Sequence, residues 1–531
     1  MNSVREILAS KAPSAEFSES EPLTVTVPAS ELRAAALELR NDPRMQFDFL
    51  VSLTGMDWGD TLGVVYHLRS TASGSEIVLK TSTAEKENPE LPTVSDIWKT
   101  ANLNEREAYD FFGIRFVGHP DMRRLYLRSD WVGFPLRKDY DASPEINPIR
   151  LESEPMTDSA PTLVEKDGRV EAGENVLFDD SEYVVNIGPQ HPATHGVLHF
   201  RVSLEGEIIK KVDPHCGYIH RGIEKMCESL TYPQMLALTD RLDYLSAHQN
   251  RHALCMCIER AMGIEVPERA QYIRTIMDEL QRLSSHLLFW STFCMDLGAL
   301  TAFFYGFRDR ELILDMLEET TGGRLIQNYN VIGGVMADIH PDLVGRIKKF
   351  IAYLPGMLKE YDEVFTGNVI AQQRMKGIGI LSKEDAISYG VTGPSGRASG
   401  WSCDVRKLHP YGVYDRVEFK ECIRTGCDTF DRYMVRMDEI RESLHILEQL
   451  IDNIPEGDYA VKTKPIIRVP EGAYWASVEA SRGDKMPYRV KFRSTGLPLV
   501  NVVDTLSRGN KIADLIAIGG SLDYVVPDID R

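Results

Sequence analysis

The chain has few cysteines, and none of them is spaced like a metal-binding pair. Among its 531 residues there are eight cysteines, all after residue 200, and no C-x-x-C occurs. The one C-x-C, Cys255 and Cys257, lies in a stretch with helical periodicity, where residues two apart point to nearly opposite sides. This pattern argues against a disulfide framework and predicts a reducing compartment. It also predicts that this chain alone holds no iron-sulfur cluster and no structural zinc.

Positive charge is also scarce. The sequence has 60 Lys and Arg against 79 Asp and Glu, which gives a net charge of −19 at pH 7. A nucleic-acid-binding protein normally presents a basic face to the phosphates, so this function is disfavoured. The sequence also lacks a glycine-rich dinucleotide fingerprint, and we therefore expect no NADH site in this chain.

About half of the negative charge lies in one stretch. Residues 141–182 contain twelve acidic and three basic residues, four prolines and few large apolar side chains. Such a composition is typical of a linker. We therefore predict an acidic, proline-containing linker over residues 141–180, between a first domain of residues 1–140 and a second of residues 181–531.

Long apolar runs are rare, and one stretch, residues 287–306, approaches the length of a membrane span. Asp296 and Gly298 interrupt it, and the sequence before it is amphipathic. Because a lone carboxylate inside a span is costly, we expect burial in a helical bundle, with a partner for Asp296. The Met1 end lacks a basic region followed by an apolar stretch, so we expect no signal peptide.

Hydrophobic periodicity predicts an α+β multidomain protein. The first domain reads as a small α/β domain, and the second as a mainly α-helical domain with flanking β-structure. Strands and turns are predicted for residues 63–68, 76–80 and 183–209. Helices are predicted for residues 92–111, 272–287 and 433–451. Residues 466–524 are predicted to return to short strand-like pieces.

Two neighbouring segments, residues 186–196 and 214–225, hold four of the thirteen histidines. Three interpretations of these histidines remain open from composition and spacing. They can belong to a structural loop with satisfied imidazoles, to a zinc site, or to a pocket for redox or proton-transfer chemistry. The zinc site is the weakest of the three, since the spacings match no ligand pair on a helix.

Motifs in these segments resemble the 49-kDa (D) subunit of respiratory complex I, the NADH-quinone oxidoreductase. They are residues 188–198 (GPQHPATHGVL), 220–225 (HRGIEK) and 240–244 (DRLDY). The first domain resembles the 30-kDa (C) subunit in residues 104–114 (NEREAYDFFGI), 118–124 (GHPDMRR) and 131–140 (WVGFPLRKDY). The resemblance covers nearly the whole chain outside the linker, and it implies a fused C/D subunit.

This resemblance implies that His195 and Tyr244 bind the quinone headgroup and that Asp296 pairs with His195. The chemistry suits these residues, because quinone reduction consumes two protons, and an imidazole and a phenol can each donate one. The substrate would be menaquinone or ubiquinone. Asp296 is also the carboxylate that interrupts the apolar stretch of residues 287–306.

The resemblance also assigns residues around the headgroup. Arg221 and Arg241 match arginines near a terminal [4Fe-4S] cluster that a neighbouring subunit holds, although they can also be ordinary ion-pair arginines. His191 and Thr292 match pocket-lining positions. In the first domain, a docking or folding role is implied for five charged residues: Arg106, Asp121, Arg123, Arg124 and Arg137.

A complex I subunit of this type would sit on the cytoplasmic face of the bacterial inner membrane, without a transmembrane helix of its own. Its implied partners are the B subunit, which carries the terminal cluster, the I subunit, the membrane-embedded H subunit and other complex I subunits. The implied overall activity is proton-translocating quinone reduction.

The sequence departs from the family in two places. Many members carry a histidine beside the terminal cluster, and Ile326 occupies the matching position. Redox-linked protonation should then be absent there, which would suit a lower-potential cluster and menaquinone. Residues 458–488 are also expected to be shortened, without a hairpin that relatives have.

Two rival functions remain. The family of the D subunit is related to the large subunit of nickel-iron hydrogenases, whose fold the second domain would share, but no thiolate remains to bind nickel. The four ligand positions are occupied by Asp243, Ser246, Val525 and Asp528. The second rival is a non-catalytic scaffold subunit of a related hydrogenase-like membrane complex.

Overall fold

The structure is a computed structural model that describes residues 2–150, 152, 156–463, 467–470, 472–480, 483–484 and 490–531. Within these residues the chain is a mixed α/β multidomain protein, which confirms the expected fold class at that level. The expectation of a shortened segment at 458–488 falls in part on residues 464–466, 471, 481–482 and 485–489, which lie outside the described residues.

The first part of the chain is built on a five-stranded sheet of order β1-β2-β5-β4-β3. Strands β2 and β5 run parallel, and the other neighbours are antiparallel. A buried core with Tyr66 and Trp98 lies between the sheet and the helices. The elements are α1 (Asn2–Leu8), β1 (Glu16–Ser18), β2 (Leu23–Thr26), α2 (Ala29–Asn41), β3 (Phe49–Asp57), β4 (Leu62–Arg69), β5 (Glu76–Thr83), β6 (Glu90–Pro92), α3 (Ala101–Phe112) and β7 (Arg115–Val117).

The helix predicted for residues 92–111 begins nine residues late, at Ala101. Pro92 ends β6, and the residues after it turn around the carboxylate of Glu105 instead of continuing as helix. Glu105 accepts hydrogen bonds from the Val94 N–H at 2.8 Å and from the Thr93 hydroxyl at 2.5 Å. These bonds give the Thr93 hydroxyl and the Val94 N–H a side-chain partner, and such local bonds compete with helix formation.

The second half of the segment predicted as a linker contains an ordered hairpin, which its composition did not predict. Strands β8 (Ser159–Lys166) and β9 (Arg169–Val176) pair in antiparallel register across Asp167 and Gly168, both with positive φ. An Asp-Gly pair of this kind forms a tight hairpin turn, and composition alone hid this signal. The hairpin joins the first domain through the Gly118 N–H, which donates to the Leu163 carbonyl at 2.7 Å.

The second part of the chain starts with a three-stranded sheet and continues with packed helices. The bundle is centred on the 29-residue helix α7, which is buried along most of its length. The elements are β10 (Tyr183–Ile187), β11 (His199–Glu205), β12 (Ile208–His215), α4 (Ile223–Cys227), α5 (Tyr232–Thr239), α6 (Ala247–Met262), α7 (Glu268–Asp296), α8 (Leu300–Thr321), β13 (Asn330–Val331), β14 (Gly334–Val335), α9 (Leu343–Tyr361), α10 (Val369–Gln373), α11 (Lys383–Tyr389), α12 (Gly393–Arg397), α13 (Val405–Leu408), α14 (Thr429–Leu450), β15 (Glu479–Ala480), β16 (Gly483–Asp484), α15 (Gly496–Ser507), α16 (Ile512–Leu522) and α17 (Val526–Asp530).

The apolar stretch 287–306 is two helices. Helix α7 ends at Asp296, Gly298 has a φ of +91°, and α8 starts at Leu300. The α7 half is buried as expected, but Leu300 and Phe304 on α8 are 57% and 60% exposed. In the part of the chain that the structure describes, no helix has the length and apolar character needed to cross a membrane.

The prediction of strand-like pieces for residues 466–524 is wrong for most of the described part. Its main elements are the helices α15 and α16. The β-branched run of α15 suggested a strand, but Leu499, Val502 and Val503 are all buried against other elements. Tertiary packing of this kind overrides the local preference of such residues.

Candidate functional site

The connection between β10 and β11 carries His191 and His195. Residues Pro192–Thr194 form a single 3₁₀ turn, whose first N–H groups are capped by His191: its Nδ1 accepts from the Ala193 N–H at 3.2 Å. The Thr194 hydroxyl lies 2.8 Å from the carbonyls of His191 and of Gly196. His195 follows with a φ of +50°, a conformation that non-glycine residues adopt mainly where the surroundings impose it.

His195 and Asp296 meet, as the resemblance implied. The Nε2 atom of His195 lies 2.6 Å from Oδ2 of Asp296, the last residue of α7. The two side chains are 19% and 5% exposed. A carboxylate at this distance orients the imidazole and stabilises the positive charge of the protonated ring. The pair is therefore largely sheltered from solvent at the end of α7.

Helix α16 encloses this pair on one side. A Cβ at Gly520 would lie 2.8 Å from Oδ2 of Asp296 and 3.1 Å from the Phe293 ring, so this glycine is required for close packing. Tyr524 follows α16 and is buried. Burial raises the pKa of its hydroxyl well above the usual range, and the nearby Asp296 raises the pKa further.

Tyr244 lies on the segment between α5 and α6, and it is 37% exposed. Its neighbours in sequence are fixed. Asp243 is buried and accepts from the Leu245 N–H at 3.0 Å, and the Leu245 carbonyl accepts from Gln281 on α7. A half-exposed phenol on a fixed backbone segment suits a group that must touch a substrate.

Arg221 and Arg241 lie side by side. Nη2 of Arg221 donates to the carbonyls of Arg241 and Pro527, both at 3.1 Å. Partial burial lowers the pKa of Arg221, and the positive charge of Arg241 lowers it further. The guanidinium of Arg241 donates to the Ala237 carbonyl at 2.5 Å, and the nearby Asp530 carboxylate raises the pKa of Arg221 against these two effects.

The loop that carries Arg221 is held from both domains. The carboxylate of Asp530 accepts from the N–H groups of Gly217 and Ile219 at 2.9 and 3.0 Å. The ring of His220 stacks against Phe111 and Tyr126 of the first domain, with centroids 5.3 and 5.5 Å away. Burial lowers the pKa of His220, which favours the neutral ring.

Thr292 lies one helical turn before Asp296 on α7. Its hydroxyl donates to the Leu288 carbonyl at 3.0 Å, and its side chain is half-buried. Residues four apart share one face of a helix, so Thr292 and Asp296 border the same space. His191 is exposed at the opposite end of the 3₁₀ turn.

The five charged residues of the first domain make structural contacts. Arg123 bridges the domains, with Nη2 2.8 Å from Oδ1 of Asp213. Arg106 and Arg124 pair with Asp121 and Asp110 at 3.2 and 2.9 Å. Arg137 donates to the Phe112 carbonyl at 2.6 Å. These contacts agree with the docking and folding role that the resemblance implied.

Sequence reasoning missed Glu107, which is buried between the domains. Its carboxylate pairs with Lys491 and, at 2.6 Å, with Nη2 of Arg531. The two cations hold the pKa of Glu107 near 2 despite its burial. The partners are more than 380 residues apart in sequence, so no local pattern could have predicted this contact.

No group of three or more His, Cys, Asp or Glu side chains that could hold a metal ion is found in the described residues. The contacts of Asp243 and Asp528, two positions that the resemblance aligns with hydrogenase ligands, lie within the protein. Asp243 accepts from the Leu245 N–H, and Asp528 accepts from the Ser494 hydroxyl at 2.9 Å and the Thr495 N–H at 3.1 Å. Both carboxylates stabilise backbone turns.

Comparisons with known proteins place the chain in a family. The model of the respiratory-chain NADH dehydrogenase 30 Kd subunit matches residues 25–145. The model of the 49 Kd subunit matches residues 296–481 and 467–531. These matches define a chain that joins two subunit types of one respiratory enzyme.

Individual relatives cover more of the chain than these family models do. The NADH-quinone oxidoreductase C/D subunit of Phocaeicola vulgatus is 68% identical over 519 residues, 96% of this chain and 99% of the relative. The C/D subunit numbered 2 of Aquifex aeolicus is 36% identical over 545 residues, 92% of each chain. The separate D subunit of Geobacillus kaustophilus is 44% identical over 366 residues, 67% of this chain and 100% of the relative.

The chain therefore belongs to the family of NADH-quinone oxidoreductase C/D subunits. It is a peripheral-arm subunit of an oxidoreductase complex, complex I, whose substrate is a quinone and whose iron-sulfur clusters lie elsewhere in the complex. Other complex I subunits are its partners.

Proposed function

We propose that the second domain, residues 181–531, forms the quinone headgroup site, with His195 and Tyr244 as the two proton donors and Asp296 as the partner of His195. The observation that carries this proposal is the 2.6 Å contact between His195 and Asp296. It couples an imidazole on the 188–198 loop to a sheltered carboxylate at the end of the bundle. Such a pair is suited to giving a proton to an oxygen that gains negative charge.

Tyr244 supplies the second proton from a separate, fixed segment. Its partial exposure allows contact with the headgroup, while Thr292 and His191 border the pocket. Two donors on different elements can bind the two carbonyl oxygens of one quinone ring. This arrangement fixes the headgroup before electrons arrive.

Arg221 and Arg241 form the face towards the B subunit, which brings the terminal [4Fe-4S] cluster that supplies the electrons. Two adjacent guanidinium groups stabilise added negative charge on such a partner. The first domain, residues 1–140, supports this face through the rings that stack on His220.

Exposed apolar side chains suit contacts with further subunits, among them the I subunit and the membrane-embedded H subunit. Leu300, Phe304, Val369 and Ile370 are all more than half exposed. Leu300 and Phe304 lie four residues apart on one face of α8, and adjacent exposed apolar side chains of this kind are typical of interfaces. The assembled subunit would lie at the cytoplasmic face of the bacterial inner membrane, where the complex couples quinone reduction to proton translocation.

The substrate of this site is menaquinone or ubiquinone, and one residue of the chain favours menaquinone. Ile326, at the position where many relatives carry a histidine beside the cluster, is half-buried and cannot take up a proton. A cluster without that protonation works at lower potential, which matches a naphthoquinone. The second domain is inferred to be a remodelled hydrogenase large-subunit fold, with Asp243 and Asp528 stabilising turns at two former ligand positions.

Replacing Tyr244 with Phe tests the proposal in the assembled complex. The variant Tyr244→Phe keeps the ring but cannot donate a proton, so quinone reduction should fall by about 10²-fold or more. Electron paramagnetic resonance of the terminal cluster should still show reduction by the donor. A normal rate of quinone reduction would refute the assignment and favour a non-catalytic scaffold subunit.

A further inference from the structure

Behind Tyr244, the backbone is held by two buried amides. Asn250 on α6 donates from Nδ2 to the Asp243 carbonyl at 3.1 Å, and Gln281 on α7 donates from Nε2 to the Leu245 carbonyl at 2.8 Å. The peptides on both sides of Tyr244 are therefore fixed from the interior of the bundle. Both amide side chains are almost fully buried.

The other ends of these amides have no partner in the described part of the chain. Asn250 Oδ1 and Gln281 Oε1 are buried and accept no hydrogen bond there. Exchanging the amide O and N atoms does not remove the problem, because an unpaired NH₂ would replace an unpaired oxygen. Buried polar atoms are nearly always hydrogen-bonded, so these two require an explanation.

Three more side chains share this property, two on the segment before Tyr244 and on α6, and one on β13, which contacts α6. They are Asp240, just before Tyr244, His248 on α6, and Asn330 on β13, and their unpartnered atoms among the described residues are Oδ1, Nε2 and Oδ1. Asn330 donates to the His248 carbonyl at 3.1 Å, which brings these two together. We call Asp240, His248, Asn250, Gln281 and Asn330 the polar cluster.

The charged groups around the polar cluster are few. Arg251 and His248 face Asp240 from α6, and Arg241 faces it from its own segment. Asp278 on α7 pairs with His248 at 2.8 Å. Burial raises the pKa of Asp240 to about 6. A carboxyl group with such a pKa exchanges protons readily near neutral pH.

We propose that the polar cluster binds a chain of ordered water molecules that returns a proton to Tyr244 after each quinone reduction. Internal water typically makes about three hydrogen bonds to buried groups that have no other partner, which is what this cluster offers. The proposal rests on the proposed function of Tyr244.

The proton balance is simple, and no electron moves in this step. When Tyr244 gives its proton to the reduced quinone, its O–H bond breaks and a phenolate remains. A water molecule of the chain donates a proton to the phenolate, so the Tyr244 O–H bond forms again and an O–H bond of that water breaks. The deficit is filled through Asp240 and finally from solvent near Asn328, a half-buried residue that accepts from Arg251 at 3.1 Å.

The test compares two buried carboxylates in the assembled complex. Asp240→Asn removes the proton-carrying group of the cluster at nearly constant volume, and kcat for a short-chain menaquinone analogue should fall by about 10-fold to 100-fold with little change in KM. Added imidazole, a small diffusible proton carrier, should restore part of the rate. Glu259→Gln is the matched control, because Glu259 is also buried and paired with an arginine, Arg274, but lies outside the cluster. Imidazole should not change the rate of this control.

The outcomes separate this proposal from the proposed function. If Tyr244→Phe abolishes quinone reduction while Asp240→Asn reduces quinone normally, or has a defect that imidazole does not relieve, the water chain is refuted and the headgroup assignment stands. A normal rate for Tyr244→Phe refutes both. If Asp240→Asn does not assemble, a high-resolution map of the unaltered complex decides: ordered water on Asp240 Oδ1 and His248 Nε2 supports the proposal, and its absence there overturns it.

Discussion

His195 is held in a backbone conformation that it would not choose alone. Its positive φ places the residue at the end of the 3₁₀ turn, and the Thr194 hydroxyl, 2.8 Å from the His191 and Gly196 carbonyls, holds the turn closed. Strain of this kind persists only where neighbouring contacts impose it, and such contacts are common at functional sites. The position of the imidazole is therefore set by packing from α7 and α16 as well as by its own loop.

Gly520 gives a direct test of that packing. In Gly520→Ala, the new Cβ would lie 2.8 Å from Oδ2 of Asp296, so the carboxylate must shift from the position in which it contacts His195. A displacement of about 1 Å at a reacting group can cost about 10²-fold in rate. We expect a large loss of quinone reduction in the assembled complex, measured as kcat.

Gly519→Ala is the matched control. At Gly519 the nearest atom to a new Cβ is the Tyr524 hydroxyl at 3.3 Å, and no atom of Asp296 is near. This variant should assemble and reduce quinone at close to the normal rate. Equal losses in both variants would show that α16, and not the Asp296 contact, is the sensitive feature.

Single residues also differ in whether the sequence could predict their place in the site. Asp296 was found twice, as a lone carboxylate in an apolar stretch and through the family motif, and its contact with His195 agrees with both. Asn250 and Gln281 could not be found in this way, because polar residues within an amphipathic helix normally mark its exposed face. Their burial depends on α6 and α7 packing against the 239–245 segment, which no spacing along the chain reveals.

At the scale of elements, the predictions succeeded where the hydrophobic periodicity extended over several helical turns. They failed where tertiary packing or a turn determined the secondary structure. The helices α7 and α14 carry apolar residues over several turns, and both were predicted. The helix α15 was read as strand-like because of its β-branched residues, and the hairpin β8–β9 was hidden by the acidic composition around it. Its turn residues, Asp167 and Gly168, were the one local signal.

Gly168 tests whether that hairpin is a stable element. It has a φ of +72°, and a Cβ there would meet nothing within 4 Å, so Gly168→Ala adds backbone strain without a clash. The strain should cost about 1–2 kcal/mol. We expect cleavage within residues 159–176 by limited proteolysis to be faster by about 5-fold to 30-fold. Val170→Ala, an exposed strand position, is the control, and equal cleavage of both variants would contradict the hairpin.

At the scale of the whole molecule, the fusion joins two domains that also bind each other through buried charges. Glu107 lies between Lys491 and Arg531, and Arg123 pairs with Asp213, in contacts that cross from the first domain to the second. Removing one partner of a buried pair leaves an uncompensated charge, which is far more costly than losing an exposed pair. The domains are thus connected by buried non-covalent contacts as well as by the covalent linker.

Glu107→Gln should therefore weaken the association of the domains by about 3–5 kcal/mol. To measure this, a protease site is placed in the linker near residue 146, the chain is cut, and the dissociation of the two fragments is followed by size-exclusion chromatography. The unaltered chain should stay together after cutting. The variant should separate, because Lys491 and Arg531 remain buried without a counter-charge.

A control variant and the pH dependence test whether the loss of the Glu107 charge causes the fragments to separate. Asp385→Asn breaks the ion pair with Lys99, which spans the same interface. The two side chains are 45% and 35% exposed, so the loss should cost less than about 1 kcal/mol. Because the pKa of Glu107 is lowered to about 2, its contribution is present above the usual glutamate pKa of about 4.3 and is lost as pH falls towards 2. The cut but otherwise unaltered chain should then separate in acid with a midpoint that Glu107→Gln abolishes. If the variant and the unaltered chain separate with the same acid midpoint, Glu107 does not hold the domains together.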